Sequence, residues 1–294
     1  MNRKGLTASF IFEAESGNYG EGIGNVTALK KVSRGSGESY SYISRQALRY
    51  NIIEQLGEDN TPLDVDGSVI QFAPEATIAD YPEIDFFGYM KTKKPPKTRS
   101  AVVRLSNAIS LESFNADLDF LTNKGLLDRY NNQNDKAKDG GNIAQSEIHK
   151  SYYAYTIAID LDKIGIDKND DIEIPSDKKS ERVQRLLDTL KFLYRDIKGR
   201  RENLSPIFAI GGVYDIKNPF FENKLNVSEN KLVVETIQDV LSLDETIKDN
   251  TYVGLIKGIF SNDDEISSIL KCSDIGQFFK ELKAKADEYY SESK

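Results

Sequence analysis

Leu6 to Glu15 alternate strictly. Leu6, Ala8, Phe10, Phe12 and Ala14 fall on one side, and Thr7, Ser9, Glu13 and Glu15 on the other, which predicts a half-buried strand. A glycine-rich segment, SGNYGEGIGN, follows. It leads into VTALKKV, a short strand or an arm. In SYISRQALRYNI the period lengthens, and Leu48, Ile52 and Leu56 line one face of a helix expected from about Ile43 to Leu56, stopped by Gly57. Glu58 to Lys97 shows no clean period and reads as an insertion with small hairpins of its own. RSAVVRLSNAIS is the next strand, with Ala101, Val103 and Leu105 on one face. Glu112 to Leu127 predicts a weak helix or helical turn. DRYNNQNDKAKDGGNIAQSE is too poor in apolar side chains to pack and predicts a mobile loop or the tip of a projecting hairpin.

YYAYTIAIDL is the clearest strand, with Tyr153, Tyr155, Ile157, Ile159 and Leu161 sharing a face. A helix is expected from Ser180 to Lys198. Its stripe runs from Val183 through Leu186, Leu187, Leu190, Leu193 and Tyr194 to Ile197, and Gly199 ends it. PIFAIGGVYD is a buried strand. KLVVETIQDVLSL and YVGLIKGIF are a further helix-or-strand pair. A last helix opens at Asp274 with Gln277 three residues on, the spacing of a capping box. The order strand, helix, strand, then strand, helix, strand points to an α+β domain with a ferredoxin-like sheet. That domain spans 1–294, with insertions at about 58–97 and 112–149.

Composition narrows the class. The chain has 294 residues, 39% hydrophobic and 29% charged, enough for a sizeable core. No apolar run approaches the roughly 20 residues of a membrane span. Glu13 and Glu15 interrupt the first apolar stretch too early for a signal peptide. Cys272 is the only cysteine, so no internal disulfide can form, which suits a reducing cytoplasm.

The net charge of −8 argues against nonspecific nucleic-acid binding, but the charge is unevenly spread. Lys91, Lys93, Lys94, Lys97, Arg99 and Arg104 lie in a stretch without acids. Lys30, Lys31, Arg34, Arg45 and Arg49 face Glu38 alone. Arg45 and Arg49 also oppose the macrodipole of their own helix, at a cost of about 0.3–1 kcal/mol each. A polyanion across that helix end, bound through free N–H groups as well, accounts for them. A salt bridge to Glu38, Glu54 or a distant acid accounts for them equally. His149 is the only histidine and reads as a surface residue. With a tyrosine or lysine it could serve acid–base cleavage of RNA. DLDKIGIDKNDD fails as a calcium loop, since Ile164 stands where an oxygen ligand is wanted and Asp171 replaces the last glutamate. The glycine-rich segment has neither a dinucleotide nor a P-loop pattern. These readings give no catalytic residue, no metal ligand and no cofactor.

LTASFIFEAESGNYG, LKKV, YISRQALRYNI, DFFGYM and KTRSAVVRLSNAISL occur in that order over about the first 110 residues. Together they resemble the DevR-type backbone subunit of type I-B CRISPR effector (Cascade) complexes, within the Cas-seven family. The resemblance implies an RRM-like, ferredoxin-type palm with a helical finger and a β-hairpin thumb, the thumb expected at 112–149. It implies a non-catalytic, cytoplasmic scaffold that polymerises along a guide RNA as a helical filament. Its partners would be that RNA, a target DNA strand, further copies of itself and other effector subunits, with no membrane. Carried onto this chain, Lys30, Lys31, Arg34, Ser44, Arg45, Gln46 and Arg49 would contact the guide. Lys91, Lys93, Lys94 and Arg99 would contact guide or target. The alternatives are a guide-processing ribonuclease of related fold, centred on His149, and a stand-alone regulatory protein without nucleic acid.

Overall fold

A computed structural model describes residues 3–20, 22, 26–35, 37–93, 95–140 and 143–292. The chain opens with β1 (Gly5–Ala14), the short β2 (Val26–Thr27) and β3 (Lys31–Ser33), β4 (Ser39–Ile43) and helix α1 (Arg45–Leu56). A small unit follows: β5 (Leu63–Asp66), β6 (Val69–Phe72), α2 (Pro82–Phe87), β7 (Tyr89–Lys91) and β8 (Lys97–Arg99). Then come β9 (Val103–Leu105), β10 (Ala108–Ser110), β11 (Asp117–Thr122), α3 (Lys124–Gln133), β12 (Ile143–Ile148) and the long β13 (Ser151–Asp160). A short hairpin, β14 (Ile166–Asp167) with β15 (Ile172–Glu173), precedes α4 (Ser176–Lys191). A second, β16 (Tyr194–Ile197) with β17 (Arg200–Asn203), precedes β18 (Phe208–Tyr214). The chain ends with β19 (Val227–Ser228), β20 (Lys231–Leu232), α5 (Glu235–Leu241), α6 (Glu245–Asp249), β21 (Thr251–Leu255), α7 (Asp263–Leu270) and α8 (Ile275–Ser291).

The main sheet runs β21-β18-β1-β13-β10-β4-β3, with β9 also pairing β13, and its pairings are antiparallel. β1 is central. Leu6, Phe10 and Phe12 face α1, α4 and α8, while Ile11 faces a second cluster built from Phe221, Leu225, α5 and α7. Both faces are therefore covered, and Thr7 and Ser9 are buried as well as the apolar row. The alternation reads as half-buried only because the covering C-terminal layer is remote in sequence. Gly211 in β18 is required by this packing: a Cβ there would lie 2.2 Å from the Thr7 carbonyl oxygen.

Three predicted elements differ. The helix expected from about Ile43 starts two residues later: α1 runs from Arg45 behind its N-cap, Ser44, and Ser39–Ile43 is strand β4. The helix expected at 180–198 is Ser176–Lys191. Gln55 bonds both Tyr194 backbone groups, donating to its carbonyl at 2.5 Å and accepting from its N–H at 3.2 Å. Arg195 pairs with Glu202 across the hairpin, so Gly199 turns a hairpin rather than ending a helix. Where Glu112–Leu127 predicts a weak helix, the 112–149 segment holds strand β11, paired with β12 in register from Asp117↔Ile148 to Thr122↔Ile143, with α3 at the far end. It projects without a core of its own: Leu118, Phe120, Leu121, Leu126 and Ile143 are exposed.

The small unit has its own core of Ala73, Ala76, Ile78, Ile84 and Tyr89. It is fastened to the main body through Asp85. That carboxylate is fully buried and accepts from Arg99 (2.8 Å), Arg182 (2.8 Å) and the Gly165 N–H (3.0 Å). Arg182 also donates to the Ala79 carbonyl. Breaking a buried ionic cluster by removing one partner costs about 3–5 kcal/mol. Asp85→Ala should therefore lose about that much stability in urea unfolding, whereas the exposed Asp196→Ala, which loses only its pair with Arg201, should leave stability nearly unchanged.

Candidate nucleic-acid interface

The interface is built where β4 hands over to α1. Three N–H groups at this end are claimed by side chains: Ser44 N–H by Asn18 Oδ1 (2.8 Å), Arg45 N–H by Asn107 Oδ1 (2.9 Å) and Ala47 N–H by Ser44 Oγ (3.3 Å). The helix end is thus not an open row of donors, and Ser44 serves as the cap. The cationic side chains are what it offers an anion. Arg45 and Gln46 are exposed, with no side-chain partner among the described residues.

Arg49, one turn on, stacks over Phe87 (4.7 Å) and bonds Glu83 (3.2 Å). Its acid is therefore neither Glu38 nor Glu54. Glu83 and Phe87 lie four residues apart on α2, so they share a face, while Asp85 points the other way into the core. Arg45, Gln46, Arg49, Phe87, Leu105 and Arg104 line an open groove of about 500 Å³. Arg104 is half-exposed and bonds Asp160 at 3.1 Å.

Asn107 owes its position to a break between β9 and β10. Ser106 Oγ accepts the Thr156 N–H at 2.9 Å in place of a ladder carbonyl. The next residue is freed to reach α1.

β3 sorts the predicted arm residues by face. Lys31 lies opposite Ser41; its ammonium bonds Glu147 (2.7 Å) and sits 4.1 Å from the Phe114 ring, at the base of the β11–β12 hairpin. Lys30 and Arg34 alternate to the other face. There Arg34 covers Tyr40 at 4.8 Å, and Lys30 is exposed.

Two residues of the second basic cluster lie inside the molecule. Lys91 is buried and donates to the carbonyls of Pro74 (3.1 Å) and Ala76 (2.5 Å), and burial pulls its pKa down. Arg99 is consumed by Asp85 and by backbone carbonyls, its side chain only 7% exposed. Both were expected to touch nucleic acid; both instead hold the small unit together. Lys93 pairs with Asp64 and Lys97 with Asp170. Lys94 lies outside the described residues.

His149 is also misplaced by sequence reasoning, for it is buried rather than superficial. Its Nδ1 is 2.7 Å from Ser41 Oγ, which is 2.6 Å from the Tyr153 hydroxyl, and that hydroxyl donates back to the His149 carbonyl. Burial lowers the imidazole pKa and pushes Tyr153 up to about 12. Cys272 is half-buried, its thiol raised to about 11 by burial. Among the described residues no cluster of His, Cys, Asp and Glu could hold a metal, and no helix is long and apolar enough to cross a membrane.

The sequence matches the family described as CRISPR-associated negative auto-regulator DevR/Csa2 over residues 6–235. The chain belongs to that family. The match extends well beyond the first 110 residues. Two solved structures share the fold. One is a chain of a CRISPR RNA-guided surveillance complex, pre-nicking (TM-score 0.62, 12% identity, 99% of this chain and 100% of that one). The other is a chain of a CRISPR RNA-guided surveillance complex (TM-score 0.57, 14% identity, 99% and 100%). No curated protein matches the sequence.

The buried imidazole of this DevR-family chain gives a pH signature. Its pKa in the fold lies below the ordinary value of about 6.5. The unfolded state therefore binds the proton first, and the stability that the neutral ring contributes is present above about pH 6.5 and lost as pH falls through the folded pKa. Urea unfolding of the protein should show stability dropping between pH 7 and 5, with a shallower drop in His149→Gln.

Proposed function

We propose that this protein is a non-catalytic, RNA-binding backbone subunit of a type I-B effector complex. In this reading the sheet with α1 and α4 is a ferredoxin-like palm. Taking β1, β9–β10, β13 and β18 as its four strands gives the spatial order four-one-three-two, which supports that view. The 58–97 unit is the finger and the β11–β12 hairpin the thumb. Copies assemble along a guide RNA in the cytoplasm, alongside other effector subunits, and present the guide to a target DNA strand.

One observation carries this. A path of unneutralised or half-exposed cations runs from Lys30 and Arg34 on the sheet, past Asn107, to Arg45, Arg49 and Arg104, with the Gln46 amide beside them. The path offers charge and amides with few groups placed to read base edges, which suits a strand of any sequence. Lys31, tied to Glu147, braces the thumb rather than the strand. Lys93 is the remaining candidate for the target. A nuclease centred on His149 is disfavoured, since its ring is enclosed by Phe114, Ser41 and Tyr153. The match of both solved chains along their full length favours a complex subunit over a lone regulator.

Arg45→Ala with Arg49→Ala tests the path. Alanine is preferable to glutamate because a carboxylate at 49 would face Glu83. Every phosphate that the variant no longer neutralises should make the salt dependence shallower by about 0.7 in log–log slope. Binding of a short single-stranded RNA should weaken about tenfold or more at an ionic strength of about 0.15 M. The melting temperature should be unchanged. Undiminished RNA binding by the double variant would refute the assignment.

A further inference from the structure

Lys31, Arg49 and Arg104 are already held by acids of the same chain, and the pairs are not alike. Asp160, which takes Arg104, is shared with Lys163 (3.1 Å) and Lys217 (3.4 Å), so it stays paired when Arg104 turns to another anion. Glu147, which takes Lys31, also accepts the Leu29 N–H at 2.8 Å and ties the β11–β12 hairpin to the sheet. Glu83 is different. It accepts a bond from Arg49 at 3.2 Å and has no other side-chain partner among the described residues. Two positions on, Asp85 is held by two arginines and a backbone N–H. The fold therefore gains little from Glu83, since a lone, partly exposed ion pair contributes little to stability. Nor does Arg49 need it for placement. Phe87, on the same face of α2, already lies against the guanidinium at 4.7 Å. Arg45, one turn back, lines the same groove and has no acid.

We propose that Glu83 is an internal competitor for Arg49, a carboxylate that occupies the guanidinium until a phosphate of the bound strand displaces it. The inference rests on the RNA-binding reading above and adds a brake to it. While the carboxylate is in place, the charge that would draw a phosphate to Arg49 is largely cancelled. When the phosphate arrives, Glu83 loses its one cation and is left beside a second anion, with its side chain only 16% exposed. Both effects subtract from affinity. An anion that touches the groove alone bears the whole penalty. A strand already held by Lys30, Arg34 and Arg45 brings its next phosphate to Arg49 at a high effective concentration and offsets it. Glu83 thus weakens the response of the protein to stray anions more than its response to a strand lying along the whole path.

The test is a cycle of four intact proteins: unmodified, Glu83→Gln, Arg49→Ala and the two combined. Each is titrated with a short uniform single-stranded RNA. Glutamine keeps the shape of the side chain and removes the charge. Glu83→Gln should bind about three- to tenfold more tightly. Its salt dependence should be steeper by up to about 0.7 in log–log slope, because Arg49 then meets the phosphate unneutralised. Glu83→Ala should show the same gain, so the result does not rest on the folding of one variant. In the Arg49→Ala background the gain should shrink to within about twofold, the remainder left by removing any one nearby acid. Unchanged or weaker binding by both Glu83 variants overturns the proposal and makes Glu83 a positioning residue for Arg49, while leaving RNA binding intact. A full gain without Arg49 also overturns it, since plain repulsion then accounts for the effect. RNA binding absent from the unmodified protein and from every variant brings down the functional reading and the brake together.

Discussion

The arrangement depends on one buried carboxylate. Asp85 draws Arg99, Arg182 and the Gly165 amide onto a single point inside the molecule. It joins the 58–99 unit, whose own Arg99 it also holds, to Gly165 and to Arg182 of α4, and so fixes the angle of α2. Because α2 is fixed, Glu83 and Phe87 lie against Arg49, and Phe87 lines the groove. Gly88 is part of the same constraint: its backbone is left-handed (φ 71°), and a Cβ there would lie 2.2 Å from the Arg99 carbonyl oxygen. The chain can close at this point only with glycine between α2 and β7.

A chain of net charge −8 can bind a polyanion if its cations are divided between those already answered and those left over. Lys91, Lys93, Lys97 and Arg99 are answered within the small unit or against the β14–β15 hairpin. Lys31 is answered by Glu147. Among the described residues Lys30 and Arg45 have no acid, and Arg34 stacks only on an aromatic ring. Arg49 and Arg104 keep part of their surface free. The leftover cations lie along the β3–β4 edge and the head of α1, connected through Asn107.

The periodic elements were legible because periodicity is local. The β1 and β13 strands, the stripe of α1 and the Asp274 cap of α8, which accepts the Gln277 N–H at 2.8 Å, follow from residues close in sequence. What the sequence hid was long-range partnership. Nothing near Arg99 announces Asp85, and nothing near Asp85 announces Arg182, 97 positions on. The stripe through Leu193, Tyr194 and Ile197 fits a helix until Gln55 and Glu202 are brought beside it. His149 lies next to a polar stretch, yet Ser41 and Tyr153 enclose it. Asn18 and Asn107, which position the head of α1, were missed. Each is an asparagine beside a serine or glycine at the end of a strand, a weak signal without the fold.

On the proposed reading, RNA follows one path over the sheet edge and the head of α1. Ultraviolet cross-linking of the protein to a uniform single-stranded RNA, with the attached peptides mapped by mass spectrometry, tests it most directly. Cross-links should fall on the peptides that hold Arg34 and Tyr40, Asn107, and Arg45 to Arg49. Cross-links confined to the β11–β12 hairpin or to the acidic layer around α5 and α7 would contradict it.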